Sequence, residues 1–231
     1  RRGRIRGAAG ADEEWVWAAL GDMLGIVVLQ EEGHILHYLE RAGSYGIIDI
    51  TCDGTMLAAG GRDGSITLWS TESGQELQKL SAHDDTISQV VFSADAQLLA
   101  SVSNDGFLRV WQLPSGTLAS EFSYPAGKIT AVSIATSGRY LACALTDGSV
   151  HVSSLETGEE SNTWIAHQNA VLDIAFSPDG NRLVTGGKDH MVRVWDWRTA
   201  ETQWIGVGHV GAVGLVSFHP RGELVISTGT S

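Results

Sequence analysis

Proline and cysteine are scarce in this chain, and a long apolar run is missing from it. Only four prolines stand against 28 glycines in 231 residues, a balance that suits many short strands joined by tight turns. The two cysteines, Cys52 and Cys143, fall 91 positions apart, one in a predicted turn and one in a predicted strand. They read as small apolar thiols of a reducing compartment, not as a disulfide framework. No stretch approaches the roughly 18 to 20 apolar residues of a membrane-spanning helix, and Gly25-Ile26-Val27-Val28-Leu29 has the length of a buried strand. A secretory leader with an apolar core is also lacking. The Arg-rich, acid-free start has some likeness to an organelle transit peptide, but the chain begins without Met, so the first residues are read as the tail of a trimmed or partial sequence. Basic residues are few beyond that start. Arg1, Arg2, Arg4 and Arg6 account for four of the 15, which leaves 11 against 27 acidic residues for the rest. A body so acidic repels phosphate backbones and anionic lipid surfaces, which argues against general nucleic-acid binding and membrane insertion. A cytoplasmic or nuclear location is expected.

What is present is a step of 42 residues. Asp63, Asp105, Asp147 and Asp189 each sit 42 positions after the one before, within related phrases: Asp63-Gly64-Ser65-Ile66-Thr67-Leu68-Trp69, Asp105-Gly106-Phe107-Leu108-Arg109-Val110-Trp111, Asp147-Gly148-Ser149-Val150-His151-Val152-Ser153 and Asp189-His190-Met191-Val192-Arg193-Val194-Trp195. Self-similarity at about 40 to 45 residues is the mark of a propeller array, in which no unit buries its apolar face alone. The unit from 168 to 209 shows the physics. Val171, Leu172, Ile174 and Phe176 form a nearly continuous apolar strand, as expected where both faces are covered. Ser177-Pro178-Asp179-Gly180 is a turn, with Pro fixing φ and Gly free to take a positive φ. Leu183-Val184-Thr185-Gly186 is a second strand, Met191-Val192-Arg193-Val194-Trp195 a third, and a more polar outer strand follows Thr199-Ala200-Glu201. Four short strands per unit make one antiparallel blade.

With Phe176-Ser177-Pro178-Asp179-Gly180, Trp195-Asp196 and the closing pair Gly208-His209 in view, the chain resembles the WD40 repeat β-propellers over residues 15–231. The resemblance implies an all-β, partial WD40 propeller of about four whole four-stranded blades, with incomplete blades at both ends. The expected divisions are a flexible basic tail at 1–14, a partial blade at 15–43, whole blades at 44–83, 84–125, 126–167 and 168–209, and a partial blade at 210–231. A ring of six to eight blades needs about 250 to 340 residues, so a fragment of a larger propeller is expected. The first blade is expected to show three strands, from Trp15, Gly25 and His34 onward, and the last to show two.

The resemblance also implies a hydrogen-bonded set inside each well-formed blade. By register these are His83, Ser101, Asp105 and Trp111 in one repeat, and His167, Thr185, Asp189 and Trp195 in another. Imidazole and indole supply donors, carboxylate and hydroxyl supply acceptors. The same residue types make up a Ser-His-Asp triad, but their recurrence at a fixed register points to structure, so no catalytic residue is expected. Two repeats depart from the pattern. The one with Asp63 and Trp69 has Arg41 and Ala59 where His and Ser are expected. The one with Asp147 has Pro125, Cys143 and Ser153 instead of His, Ser and Trp, so its internal network should be largely absent.

Metal and cofactor sites are not expected. His34 and His37 would point to opposite faces of a strand, and no cysteine or carboxylate cluster completes a coordination sphere. Gly60-Gly61-Arg62-Asp63-Gly64 and Gly186-Gly187-Lys188 are turn glycines with no helix after them to hold a phosphate. Asn-x-Ser/Thr acceptors are lacking. Trp195-Asp196-Trp197-Arg198 matches the WD-x-Arg box by which some WD40 proteins resemble substrate receptors of cullin-RING ubiquitin ligases, and this implies an adaptor contact through Asp196 and Arg198. The other candidates lie where the Asp turns and the loops that open each blade share one rim: Arg62, Asn104, Thr146 and Lys188 before each Asp, and Asp85, Lys128 and Asn169 at the blade starts. A constant 42-residue step leaves no long loop to build a pocket. The function expected is a non-catalytic scaffold that docks partner proteins within a larger complex, with a ligase substrate receptor as the alternative.

Overall fold

The computed structural model describes residues 5–9, 15–21, 25–29, 35–39, 45–125 and 128–230, and up to residue 46 only their backbone. Among the described residues every regular element is a β-strand, and no helix is long and apolar enough to cross a membrane. The chain divides into two compact units, 1–126 and 127–231.

The first unit holds three antiparallel sheets of four strands, each in chain order. They are β1 (Ile5–Ala9), β2 (Trp15–Gly21), β3 (Gly25–Leu29) and β4 (Ile35–Leu39); β5 (Tyr45–Ile50), β6 (Met56–Gly61), β7 (Ser65–Ser70) and β8 (Glu76–Ser81); and β9 (Ile87–Phe92), β10 (Leu98–Ser103), β11 (Phe107–Gln112) and β12 (Thr117–Ser123). The second unit repeats the pattern with β13 (Ile129–Ile134), β14 (Tyr140–Leu145), β15 (Ser149–Ser154) and β16 (Glu160–Ile165), then β17 (Val171–Phe176), β18 (Arg182–Gly187), β19 (Val192–Asp196) and β20 (Glu201–Gly206). A two-stranded sheet of β21 (Val213–Phe218) and β22 (Val225–Gly229) follows.

The start of the chain departs from its sequence reading. Ile5–Ala9, expected within a flexible basic tail, pairs with β2 from Ile5 opposite Ala19 to Ala9 opposite Trp15, so the first sheet has four strands and not three. Side-chain charge carries no information about backbone pairing, and pairing satisfies N–H and C=O groups along that edge of β2. His34, Arg41, Ala126 and Gly127 lie outside the described residues.

In the four sheets from β5 to β20, burial follows strand position. The second strands β6, β10, β14 and β18 share one pattern, five buried residues after a partly buried first one. Their sequences (Leu57-Ala58-Ala59-Gly60, Leu99-Ala100-Ser101-Val102, Leu141-Ala142-Cys143-Ala144, Leu183-Val184-Thr185-Gly186) are mostly apolar and small, in keeping with that burial. The fit at Gly60 is close: an added Cβ would lie 2.5 Å from Ile87 Cγ2. The fourth strands are mostly exposed and accordingly polar, as in Glu76-Leu77-Gln78-Lys79.

The cores lie between consecutive sheets. In the first unit Ile47, Ala58, Ile66 and Leu68 meet Ile87, Val90, Phe92, Leu99, Trp111 and Leu113. In the second, Val150 and Val152 meet Ile174, Phe176, Leu183, Trp195 and Trp197, and Val184, Val192 and Val194 meet Val213, Val216 and Phe218. Side-chain acceptors also link consecutive inner strands at a 43-residue separation. The Phe92 amide donates to Asp49 Oδ2 (2.9 Å), Phe176 to Ser133 Oγ (3.2 Å) and Val216 to Asp173 Oδ2 (2.9 Å). Each bond fixes the offset of one sheet on the next, which positions the loops at the sheet ends.

Candidate functional site

Two blades carry a four-member relay. In one, Trp111 Nε1 donates to Ser101 Oγ at 2.9 Å, Ser101 Oγ lies 2.8 Å from His83 Nε2, and His83 Nδ1 lies 2.9 Å from Asp105 Oδ2. In the other, Trp195 Nε1 donates to Thr185 Oγ1 at 2.9 Å, Thr185 Oγ1 lies 2.7 Å from His167 Nε2, and His167 Nδ1 lies 2.7 Å from Asp189 Oδ1. One proton placement satisfies the three links of each relay: indole to hydroxyl, hydroxyl to Nε2, and Nδ1–H to carboxylate. Burial pushes both imidazoles below their ordinary pKa, against the pull of the adjacent aspartates. Burial alone would raise the Asp105 and Asp189 carboxyls. Donors outweigh it and bring both below their ordinary value, Phe107 N–H and His83 at the first, Arg193 and His167 at the second.

The relay has the connectivity of a hydrolase triad without its access. Ser101 and Thr185 are 0% exposed, and each oxygen already accepts an indole N–H. An acyl carbon has no approach to either.

The turn aspartates of the two divergent repeats are bound differently. Asp63 Oδ1 accepts from the amide and hydroxyl of Ser65 (3.1 and 2.7 Å). Asp147 Oδ1 does the same with Ser149 (2.9 and 2.6 Å). The Asp147 blade also has polar contacts that the sequence reading missed. Ser149 Oγ lies 3.2 Å from His151 Nε2, and His151 Nδ1 lies 2.7 Å from Glu160 Oε2 and 2.9 Å from Thr163 Oγ1. His151 stands at the register of Arg109 and Arg193, and that shared register was the available signal. Another partial relay joins His209 Nε2 to Ser227 Oγ (2.8 Å), each 42 positions after His167 and Thr185.

The seven rim residues, Arg62, Asp85, Asn104, Lys128, Thr146, Asn169 and Lys188, are all exposed. Their backbones are tied. Asn104 N–H donates to Thr86 O (3.0 Å), Thr146 N–H to Lys128 O (2.9 Å) and Lys188 N–H to Ala170 O (2.8 Å). Thr86 Oγ1 reaches Arg62 O at 3.2 Å. In the first unit this brings Arg62, Asp85 and Asn104 to one end of adjacent sheets. In the second it brings Lys128 beside Thr146 and Asn169 beside Lys188.

Asp196 and Arg198 lie at the opposite end of their sheet, in the turn from β19 to β20. Asp196 Oδ1 accepts from the Arg198 amide (3.0 Å) and caps the turn. The Arg198 guanidinium lies 4.4 Å above the Trp197 ring and donates to Asn181 Oδ1 at 3.2 Å. Cys52 is an exposed thiol and Cys143 a buried one. Among the described residues no group of three or more His, Cys, Asp or Glu side chains is placed to hold a metal ion.

Three segments, residues 40–70, 74–112 and 158–196, match the family profile described as "WD domain, G-beta repeat". Comparison with curated proteins gives no match.

Proposed function

The chain is a WD40-repeat protein, and from that premise we propose that it is a non-catalytic platform docking partner proteins on the loop rim of its blades, as a subunit of a larger assembly. WD40 repeats mark protein-interaction scaffolds in general. The observation that carries the rim assignment is the combination of exposed side chains on tied backbones: Asn104, Thr146 and Lys188 face solvent while each main-chain N–H is held by the neighbouring loop. Such positions present side chains to a partner with little ordering cost. Their conformation is set by the sheets below. The buried relays speak against catalysis, since their hydroxyls are closed to substrate.

Arg62, Lys128 and Lys188 stand in an acidic body and suit a carboxylate-bearing partner segment. Rim charges mainly steer encounter and confer specificity, so partner affinity falls as salt rises. With the partner that co-purifies with the full-length chain, Lys188→Glu weakens binding and Arg198→Ala leaves it unchanged. The reverse pattern overturns the rim assignment and favours adaptor docking through Arg198. Within the chain, Asp196 and Arg198 are already engaged in capping the turn and covering Trp197.

A further inference from the structure

The last whole repeat breaks the backbone geometry that the other rim turns share. Gly64 O accepts from the Ala82 and His83 amides (3.1 and 2.9 Å), Gly148 O from Ala166 and His167 (2.8 and 3.1 Å), and Gly106 O from Tyr124 (2.8 Å). The register equivalent of these glycines is His190, and among the described residues neither Gly208 nor His209 donates to its carbonyl. The cause is steric. A Cβ on Gly64 would lie 2.0 Å from His83 O, and one on Gly148 would lie 2.2 Å from His167 O. His190 keeps the left-handed turn, at φ 69°, but carries that Cβ, so the exit from β20 cannot close on it. Gly208 is exposed where Ala82 and Ala166 are buried.

The side chains around the gap are equally out of pattern. Ile205 stands where earlier repeats have Lys79, Glu121 and Thr163. Val207 stands where they have Ser81, Ser123 and Ile165, and Val210 where they have Asp84, Ala126 and Gln168. All three are solvent-facing, at 50%, 75% and 88% exposure. A cluster of exposed aliphatics at positions that sibling repeats mostly give to polar residues marks an interaction surface. Lys188 borders it from the same turn.

Resting on the rim-docking reading above, we propose that this corner, formed by Lys188, His190, Ile205, Val207 and Val210, captures an extended segment of a partner protein. The segment brings a carboxylate to Lys188 and a branched aliphatic side chain to the two valines. Its backbone takes up the hydrogen bonds that the other turns close internally, donating to His190 O and accepting from the Gly208 or His209 N–H. Backbone pairing gives affinity and the flanking side chains give selectivity, as in other strand-addition complexes.

A random dodecapeptide phage library selected on the full-length chain tests this. The enriched consensus pairs an acidic residue with a branched aliphatic one, and a synthetic consensus peptide is then titrated by fluorescence anisotropy. Its affinity falls about tenfold or more in the double variant Val207→Ser, Val210→Gln and in Lys188→Glu, and stays unchanged in Arg139→Glu, an exposed charge at the opposite end of its sheet. His190→Gly closes the gap. Peptide binding is then lost, while amide exchange at Gly208 and His209 slows about tenfold or more. Unchanged exchange in His190→Gly overturns the steric account. A consensus without an acid, an empty selection, or a peptide insensitive to the valine and lysine changes overturns the proposed occupant. If instead binding responds to Arg62 or Asp85, rim docking stands and only its placement at this corner fails.

Discussion

Replacing Asp189 with alanine separates a buried relay from a turn decoration. Asp189 accepts from His167 Nδ1 (2.7 Å), Arg193 NH1 (2.7 Å) and the Met191 amide (3.2 Å). The His167 side chain is 0% exposed, whereas Arg193 keeps 17% of its side-chain surface and reaches water. The substitution therefore strands one fully buried donor and weakens a second at the turn. A buried unsatisfied donor costs about 1 to 3 kcal/mol, so about 2 kcal/mol of stability is expected to be lost. Asp147→Ala removes acceptors only from Ser149, next to an exposed turn where water replaces them, and about 0.5 to 1 kcal/mol is expected. Urea unfolding followed by tryptophan fluorescence gives both values, provided the denaturant slopes match wild type. Equal losses for the two variants, or a smaller loss for Asp189→Ala, refute the claim that the His-containing relay sets the difference.

Three further outcomes are expected. Trp164 Nε1 is buried without a hydrogen-bond partner, while its ring packs 5.8 Å from Trp195; Trp164→Phe should cost under about 1 kcal/mol in urea unfolding because the stranded donor goes with the lost ring area, and a loss above about 3 kcal/mol would show that the donor was satisfied. His83 and His167 have folded pKa values below the ordinary 6.5, chiefly through burial, so the unfolded chain binds more protons as pH drops through that value and stability falls on acidification, before the lowered Asp105 and Asp189 add to the loss in the carboxylate range below 3.8; His83→Gln with His167→Gln should flatten the decline that sets in below pH 6.5, and an unchanged slope contradicts it. The blade spanning residues 126–167 lacks the indole-to-carboxylate chain, so the Val150 and Val152 amides should exchange faster than those of Val192 and Val194, and equal rates would show that sheet packing alone sets opening.

Much of the fold was legible because the 42-residue step places like residues at like stations: Asp at the turn, small apolar residues on the second strand, Trp or Ser at the end of the third. The relay residues follow the same register, and the resemblance to WD40 repeats implied which stations carry them. Three features could not be. Strand β1 depends on backbone pairing with Trp15–Ala19, which the composition Ile5-Arg6-Gly7-Ala8-Ala9 does not advertise. The Asp49, Ser133 and Asp173 links join different repeats at 43 residues, so a search for similarity at one station passes over them. The polar contacts of His151 arise from a substitution at the arginine station, where the chemistry changes and the position does not. At the rim, sequence located the exposed positions but not the broken turn at His190, which emerges only when the space beside the glycines, which carry no Cβ, is compared with the Cβ of His190.

The central claim is that partners dock on the loop rim. Hydrogen-exchange footprinting of the full-length chain, free and bound to its co-purified partner, tests it most directly. Protection confined to the rim segments around Arg62, Asp85, Asn104, Lys128, Thr146, Asn169 and Lys188 is the expected result. Protection of the opposite turns, at Ser115, Thr157 and Arg198, with the rim unchanged, contradicts it.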